Sequence, residues 1–323
     1  MRRPGMLVRW LARLGQMLLL IWLVVTALFA GLALLRGNPI DLYLDPRISA
    51  ETKSRIKQRF GYDTGLAAQY ARYLGNACRG ELGVSFIHKK PVTRVLAERI
   101  PRTLWLGTLA YLTALAFTLA LLWCFDPQGG APRWLRRLAE PVFRFWLVMP
   151  SFLFAIMLLH VAAIRWHLFP VYGSHRPGAD PSFWDLLHHS VLPALSIAMP
   201  LAAYLTAYLR ARLEPLADAP FVLSALGRGV SPTRVFFNHK LRVVRPLILQ
   251  LTGLYLPVLI SGMIIVESIF GWSGMGLLLL DALTGRDYPL LLGGCLWMTC
   301  VTVAGYQLAD YQRARHLAQA GAA

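Results

Sequence analysis

Six stretches of this chain run for about 20 residues each without a single Asp, Glu, Lys or Arg. They are Leu14–Leu35, Leu104–Phe125, Phe145–Ile164, Val191–Leu209, Leu247–Val266 and Pro289–Leu308. At about 1.5 Å of rise per residue, each is long enough as a helix to cross a hydrocarbon core of roughly 30 Å. The expectation is therefore an all-α, polytopic membrane protein with six transmembrane helices. Pro150, Pro193, Pro200 and Pro257 fall inside these runs and predict kinks, which neighbouring helices tolerate by supplying hydrogen-bond partners.

Composition closes off the soluble alternatives. Of the 323 residues, 56% are apolar and 15% are charged, against about 25% charged in ordinary globular domains. The formal charge of +17 raises nucleic-acid binding as a reading. The basic residues gather at the ends of the apolar runs, however, and form no aromatic-interleaved patch, so no nucleic-acid partner is expected. The first run follows Arg2, Arg3, Arg9 and Arg13. It exceeds the roughly 7–15 apolar residues of a secretory leader and reads as an uncleaved first span.

Orientation follows from where Lys and Arg lie in the short connections. With the N-terminus inside, the inner segments carry Arg133, Arg136 and Arg137, then Arg210, Arg212, Arg228, Arg234, Lys240, Arg242 and Arg245, then Arg313 and Arg315. The short outer loops carry Arg165, Arg176 and Arg286. Both ends are thus expected inside. The expected organisation is a basic start and first span (1–35), an extracytoplasmic helical cap (36–102), a membrane core (103–311) with an inner loop at about 212–245, and a short inner tail (312–323). In the cap, Ser49 is placed to start a helix from Ala50 to Phe60 that ends at Gly61, and a second helix is expected near Leu66–Ala77.

Residues for chemistry are sparse. Cys78, Cys124, Cys295 and Cys300 form no C-x-x-C pair and imply neither a disulfide framework nor a zinc site. His160 and the His188–His189 pair are metal candidates without a third ligand at helical spacing, and interfacial hydrogen bonding is the plainer reading. No catalytic and no metal residues are assigned. Trp105, Trp123, Trp146, Trp166 and Trp184 sit near span ends as an aromatic belt.

The most informative stretch is the inner loop between spans four and five, Asp218 to Arg242. It predicts a short helix over Phe221–Leu226, a break at Gly227 and Gly229, and a restart at Ser231-Pro232, a good N-cap and N1 pair. The following helix carries Val235, Phe236, His239 and Leu241, with Arg234, Lys240, Arg242 and Arg245 interspersed. By itself this is either a solvated basic loop or a docking element for a cytoplasmic partner.

The segment resembles the coupling loop of binding-protein-dependent ABC importer permeases, in the dipeptide/oligopeptide/nickel branch. There an alanine-rich stretch is followed by Gly and then by His-x-Leu-Arg, and Ala225, Gly229 and His239-Lys240-Leu241-Arg242 fit in register. The resemblance continues in order through Gly37-Asn38-Pro39, Phe60-Gly61-Tyr62-Asp63, Gln69-Tyr70, Gly80-Glu81-Leu82-Gly83-Val84-Ser85 and Pro101-Arg102-Thr103-Leu104. Met149-Pro150-Ser151-Phe152, Phe169 to Gly173 and Leu192 to Leu195 come next, then the most specific stretch, Glu267 to Gly276 with Asp281-Ala282 and Arg286-Asp287-Tyr288-Pro289. Departures are Leu223 and Ser224 in the alanine motif, Pro220 just upstream, Ser273 in place of a common proline, and a tail without the usual Asp-Pro-Arg ending.

The resemblance implies the permease fold with both ends inside and a subunit of an ATP-driven importer of the bacterial inner membrane. Such a subunit translocates dipeptides or oligopeptides, delivered by an extracytoplasmic binding protein, by alternating access. It implies a second, paralogous permease, two cytoplasmic ATPases and surrounding lipid as partners. ATP and Mg would sit on the ATPases, because this sequence has no G-x-x-x-x-G-K-[ST] phosphate loop, and no cofactor is expected on this chain. Carried over, Phe221, Leu223, Ser224, Ala225, Gly229, His239, Leu241 and Arg242 are the ATPase-coupling residues. Glu267, Trp272, Gly274 and Gly276 fall on the translocation path or at the outer gate, Glu267 either touching solute or making a structural contact. Open alternatives are a nickel or metal-chelate importer of the same family, a membrane-embedded enzyme using Glu267, Asp281 or Asp287 with a histidine, and a stand-alone channel.

Overall fold

A computed structural model describes residues 6–34, 64–129, 131–176, 178 and 182–320. Among them the secondary structure is helical, with one isolated bridge between Val84 and Pro91. Among the described residues four helices are each long and apolar enough to cross a membrane, and two further helix pairs joined at short breaks bring the count to six if each pair crosses once. The expected helix over Ala50–Phe60, with the Gly37-Asn38-Pro39 and Phe60–Asp63 motifs, lies outside the described residues.

The chain divides into two compact units, 1–101 with 274–304, and 102–273 with 305–323. The first contains α1 (Met6–Leu34), α2 (Leu66–Ala77), the beginning of α3 (Val92–Phe125), α10 (Met275–Thr284) and the first part of α11 (Tyr288–Ala320). Helix α2 has the bounds expected from the sequence. Along its apolar stretch α1 keeps only 6% of its residues buried, as suits a helix whose apolar side chains face lipid. Tyr70 of α2 meets it with a hydroxyl contact to Thr26 and a ring contact to Phe29. Helix α11 comes close at Gly293, where an added Cβ would lie 2.7 Å from a Val92 methyl.

The second unit is built around α6 (Phe183–Leu213), whose apolar window is 78% buried. Around it pack the rest of α3, α4 (Arg133–Val148), α5 (Ser151–Leu158) with a π-helical continuation to Arg165, and α9 (Leu241–Phe270). Lipid offers helices no hydrophobic drive to associate, so close approach through small residues has to supply it. Ala110 and Ala114 of α3, Ala155 of α5, and Ala194, Ala198 and Ala202 of α6 are buried in one cluster, filled out by Leu205, Leu209, Leu251 and Met263. The hydroxyl of Thr118 donates to the carbonyl of Ala114 at 2.8 Å and reaches that of Ala202 on α6 at 3.4 Å.

Pro193 and Pro200 lie inside an uninterrupted α6. The sharp bend falls at Met149-Pro150, where α4 and α5 meet at 115°. The third apolar run is therefore not one straight span. Proline disfavours the helical region for the residue before it, and Met149 is extended with ψ of 120°. The first residues of the run belong to α4, which also carries Arg133, Arg136, Arg137, Glu140 and Arg144.

Helices α9 and α11 touch through Gly253. A methyl there would lie 2.5 Å from the Gly305 carbonyl oxygen and 2.6 Å from the Ala309 Cβ, whereas a methyl at Gly262 would meet nothing nearer than 4.0 Å. Gly253→Ala should destabilise the detergent-purified protein by about 1–3 kcal/mol, read as a drop in thermal unfolding temperature. Gly262→Ala should be neutral or stabilising by up to about 1 kcal/mol.

Candidate functional site

After α6 the chain makes a 3-10 turn, Glu214–Asp218, then α7 (Pro220–Gly227), α8 (Pro232–Val235), a π-helical turn Phe236–Lys240, and α9. Pro220 occupies the first helical position of α7, where its missing N–H costs nothing, and Ala219 before it is extended with ψ of 137°. The departure from the family pattern thus starts the helix rather than distorting it. Val222 and Ala225 turn inward against Val235, with Ala219, Leu226 and Val230 around them. Phe221, Leu223 and Ser224 turn outward.

The end of α7 explains its glycine. The N–H of Val230 donates to the carbonyl of Ala225 at 3.2 Å and that of Gly229 to Leu226 at 2.9 Å. This double closure is the Schellman arrangement, which needs a left-handed residue between helix and exit. Gly229 provides it with φ of 79°. Gly227, expected to share in the break, is the last helical residue. Ser231 stands at the N-cap as expected, with Pro232 at N1, but its side chain makes no cap hydrogen bond.

Beyond α8, Phe236 is buried and Phe237 exposed, their rings edge-on at 5.0 Å. Leu241 packs against the main core, His239 is half-buried and Arg242 is exposed. Lys240 departs from expectation. It is not one of several solvated charges but is fully buried, and its Nζ donates to Asp126 Oδ1 at 2.7 Å. Asp126 directly follows α3. Its backbone oxygen accepts from Arg136 Nη2 at 2.5 Å and from the Gly129 N–H at 2.9 Å. Arg136 Nε also donates to the Cys124 carbonyl at 3.2 Å, and Gln128 Nε2 to that of Ala217 at 2.7 Å. Nearby, Arg210 bridges Glu214 at 2.9 Å and Glu140 at 3.3 Å, with its guanidinium 4.8 Å from the centre of the Phe125 ring. The segment between α6 and α9 is thus a fixed knob rather than a solvated loop.

The proposed outer residues divide between the two units. In the second, Glu267 is fully buried and accepts a hydrogen bond from Thr103 Oγ1 at 2.9 Å. Trp272, also fully buried, donates its backbone N–H to the Glu267 carbonyl at 2.8 Å and its indole N–H to the Arg102 carbonyl at 3.2 Å. Gly271 between them is left-handed with φ of 59°, and the Tyr172 ring lies where a side chain would stand. In the first unit, Gly274 is the N-cap of α10 and Gly276 is buried inside that helix.

Another buried carboxylate, Asp287, is a structural centre that the sequence does not announce. Asp287 Oδ2 accepts from the Ser85 hydroxyl at 2.5 Å and from the Ile87 N–H at 3.0 Å, and Oδ1 from the Leu290 N–H at 3.3 Å. It ties the 83–91 loop to the start of α11. The signal was present as the Glu81–Ser85 and Arg286–Pro289 motifs, but nothing in either names the other. His188 shares a hydrogen bond with the Leu168 carbonyl and His189 with that of Asp185. Among the described residues no group of three His, Cys, Asp or Glu side chains is placed to hold a metal ion.

Comparison with known proteins adds an independent line. Residues 129–315 match the family model described as binding-protein-dependent transport system inner membrane component. The chain is 29% identical over 280 residues to the oligopeptide transport system permease protein AppB of Bacillus subtilis, covering 85% of this chain and 86% of that one. It is 33% identical over 306 residues to a Brucella ovis protein with a provisional peptide-permease name, covering 91% and 92%. To the glutathione transport system permease protein GsiC of Escherichia coli K12 it is 28% identical over 276 residues, covering 84% and 85%.

Removing the Asp287 acceptor leaves a buried hydroxyl and two backbone N–H groups without their partner. Asp287→Ala should cost about 1–3 kcal/mol of stability and speed proteolysis within the 83–91 loop. The exposed Asp281→Ala should leave both unchanged.

Proposed function

The chain belongs to the family of binding-protein-dependent transport system inner-membrane components, and on that premise we propose that it is a permease subunit of an ATP-driven peptide importer. It is a multi-pass inner-membrane protein and a transport component, with no covalent chemistry of its own. Peptide as solute rests on relatives named for oligopeptide and glutathione transport. The partners in this reading are a second permease, two cytoplasmic ATPases and an extracytoplasmic solute-binding protein.

The observation that carries the reading is the knob between α6 and α9. Its short helix α7 presents Phe221 and Leu223 outward, while Val222 and Ala225 hold it to α8. An exposed apolar pair on a rigidly backed helix suits a groove on a partner, and the sequence has no phosphate loop of its own. Closing of an ATPase pair on this knob would tilt α6 and α9 and switch the cavity between outer and inner access, a rocking of packed bodies between two arrangements. ATP drives the switch only if it favours one arrangement over the other.

The direct test is a mild-detergent purification of the tagged chain, with mass spectrometry of its partners and an ATPase assay. Recovery of phosphate-loop ATPases and a second multi-span permease supports the reading. A clean monomer or homo-oligomer without ATPase activity overturns it.

Gly229 supplies a sharper prediction. A β-branched side chain at φ of 79° costs roughly 1–2 kcal/mol and disturbs the end of α7. Gly229→Val should leave the protein inserted in the membrane while uptake per ATP hydrolysed falls. Unchanged solute-stimulated hydrolysis and uptake would count against the coupling role.

A further inference from the structure

Four charged or polar groups converge where α3 ends, and the assignments above do not use them. Lys240 closes the π-helical turn of the knob, Asp126 follows the last residue of α3, Arg136 grips the Asp126 turn from α4, and Gln128 reaches the 3-10 turn before α7. The central contact is an ion pair at 2.7 Å with side chains 0% and 3% exposed. Asp126 Oδ2 is buried and has no hydrogen-bond partner among the described residues. Lys240 is the cation that compensates this carboxylate.

We propose that Asp126 and Lys240 form the rigid link through which the knob drives α3, so that α3 and α9 move as one body when the ATPases close. The proposal rests on the importer reading and names positioning residues within it. Helix α9 continues directly from the knob and follows it by covalent connection. Helix α3 is distant in sequence and must be carried by contacts. A buried ion pair suits that task. Sliding the two elements apart would leave each charge buried without its partner, which is far less favourable than moving them together. The same pair adds little net stability compared with apolar side chains of similar volume, so bulk stabilisation is a weak account of it. The π-helical turn that ends on Lys240 is a local irregularity of a kind frequent at functional positions.

The test is ATP hydrolysed per peptide taken up, measured in proteoliposomes holding the assembled importer. Wild-type complex is measured first. If it shows no ATP-dependent uptake, the importer reading itself fails, before any variant is compared. With uptake established, Asp126→Asn and Lys240→Met are each expected to hydrolyse ATP in the assembled complex while ATP used per peptide rises about fivefold to 100-fold. The charge-reversed double variant, Asp126→Lys with Lys240→Asp, is expected to recover much of the loss. An apolar double variant, Asp126→Leu with Lys240→Met, guards against simple misfolding, since it leaves no charge unpaired. It should assemble and remain uncoupled. Wild-type stoichiometry in either single variant or in the apolar pair overturns the proposal, as does a charge-reversed pair that assembles without regaining coupling.

Discussion

Inside a bilayer no water is available to satisfy a stray backbone group or to solvate a charge, and this one constraint orders most of the structure. It makes the spans helical, because a helix meets its own hydrogen-bonding needs. It drives charged residues to the ends of apolar runs, and burial inside protein makes the same demand for partners on the charges found there. Buried Lys240 has Asp126, Asp287 has Ser85 with two backbone N–H groups, and Glu267 has Thr103. It also removes the hydrophobic drive between helices, which is why α6 packs through alanines and α9 meets α11 through Gly253.

What the sequence shows clearly is local. The apolar runs follow from composition, and α2 falls where its apolar and aromatic positions near Leu66–Ala77 put it. The position of α8 follows from Ser231-Pro232, and the break after α7 from its glycines. Each is settled within a few residues of chain. Long-range pairing is different. Lys240 reads as one more basic residue in an Arg-rich loop until α3 is folded beside it, since its partner is 114 positions away. Asp287 and Ser85 are 202 positions apart. The bend at Pro150 lies between these cases. The proline was visible, but a kink within a span and a 115° turn between two helices look the same in the sequence, and tertiary packing decides between them.

The knob between α6 and α9 joins these two levels. A local rule, the left-handed residue closing α7, turns the chain back so that Val222 and Ala225 pack on Val235 and leave Phe221 and Leu223 facing outward. A long-range contact, the buried ion pair, fixes the knob to α3. Resemblance to a transport family singled out the segment, and the geometry adds a mechanical reason for such a segment to be compact. An element that transmits motion must not deform when pushed, and glycine closure, an inward apolar pair and a buried charge pair each oppose deformation.

The account therefore turns on whether the knob and the end of α3 behave as one body. The most direct measurement is the distance between spin labels at the exposed positions Thr233 on α8 and Arg133 at the start of α4, beside the Asp126 turn. It is made in the assembled importer without nucleotide and with ATP trapped. The account predicts the same distance distribution in both states, while labels on opposite permease subunits move. A shift or marked broadening of the Thr233–Arg133 distance when ATP is trapped would contradict it.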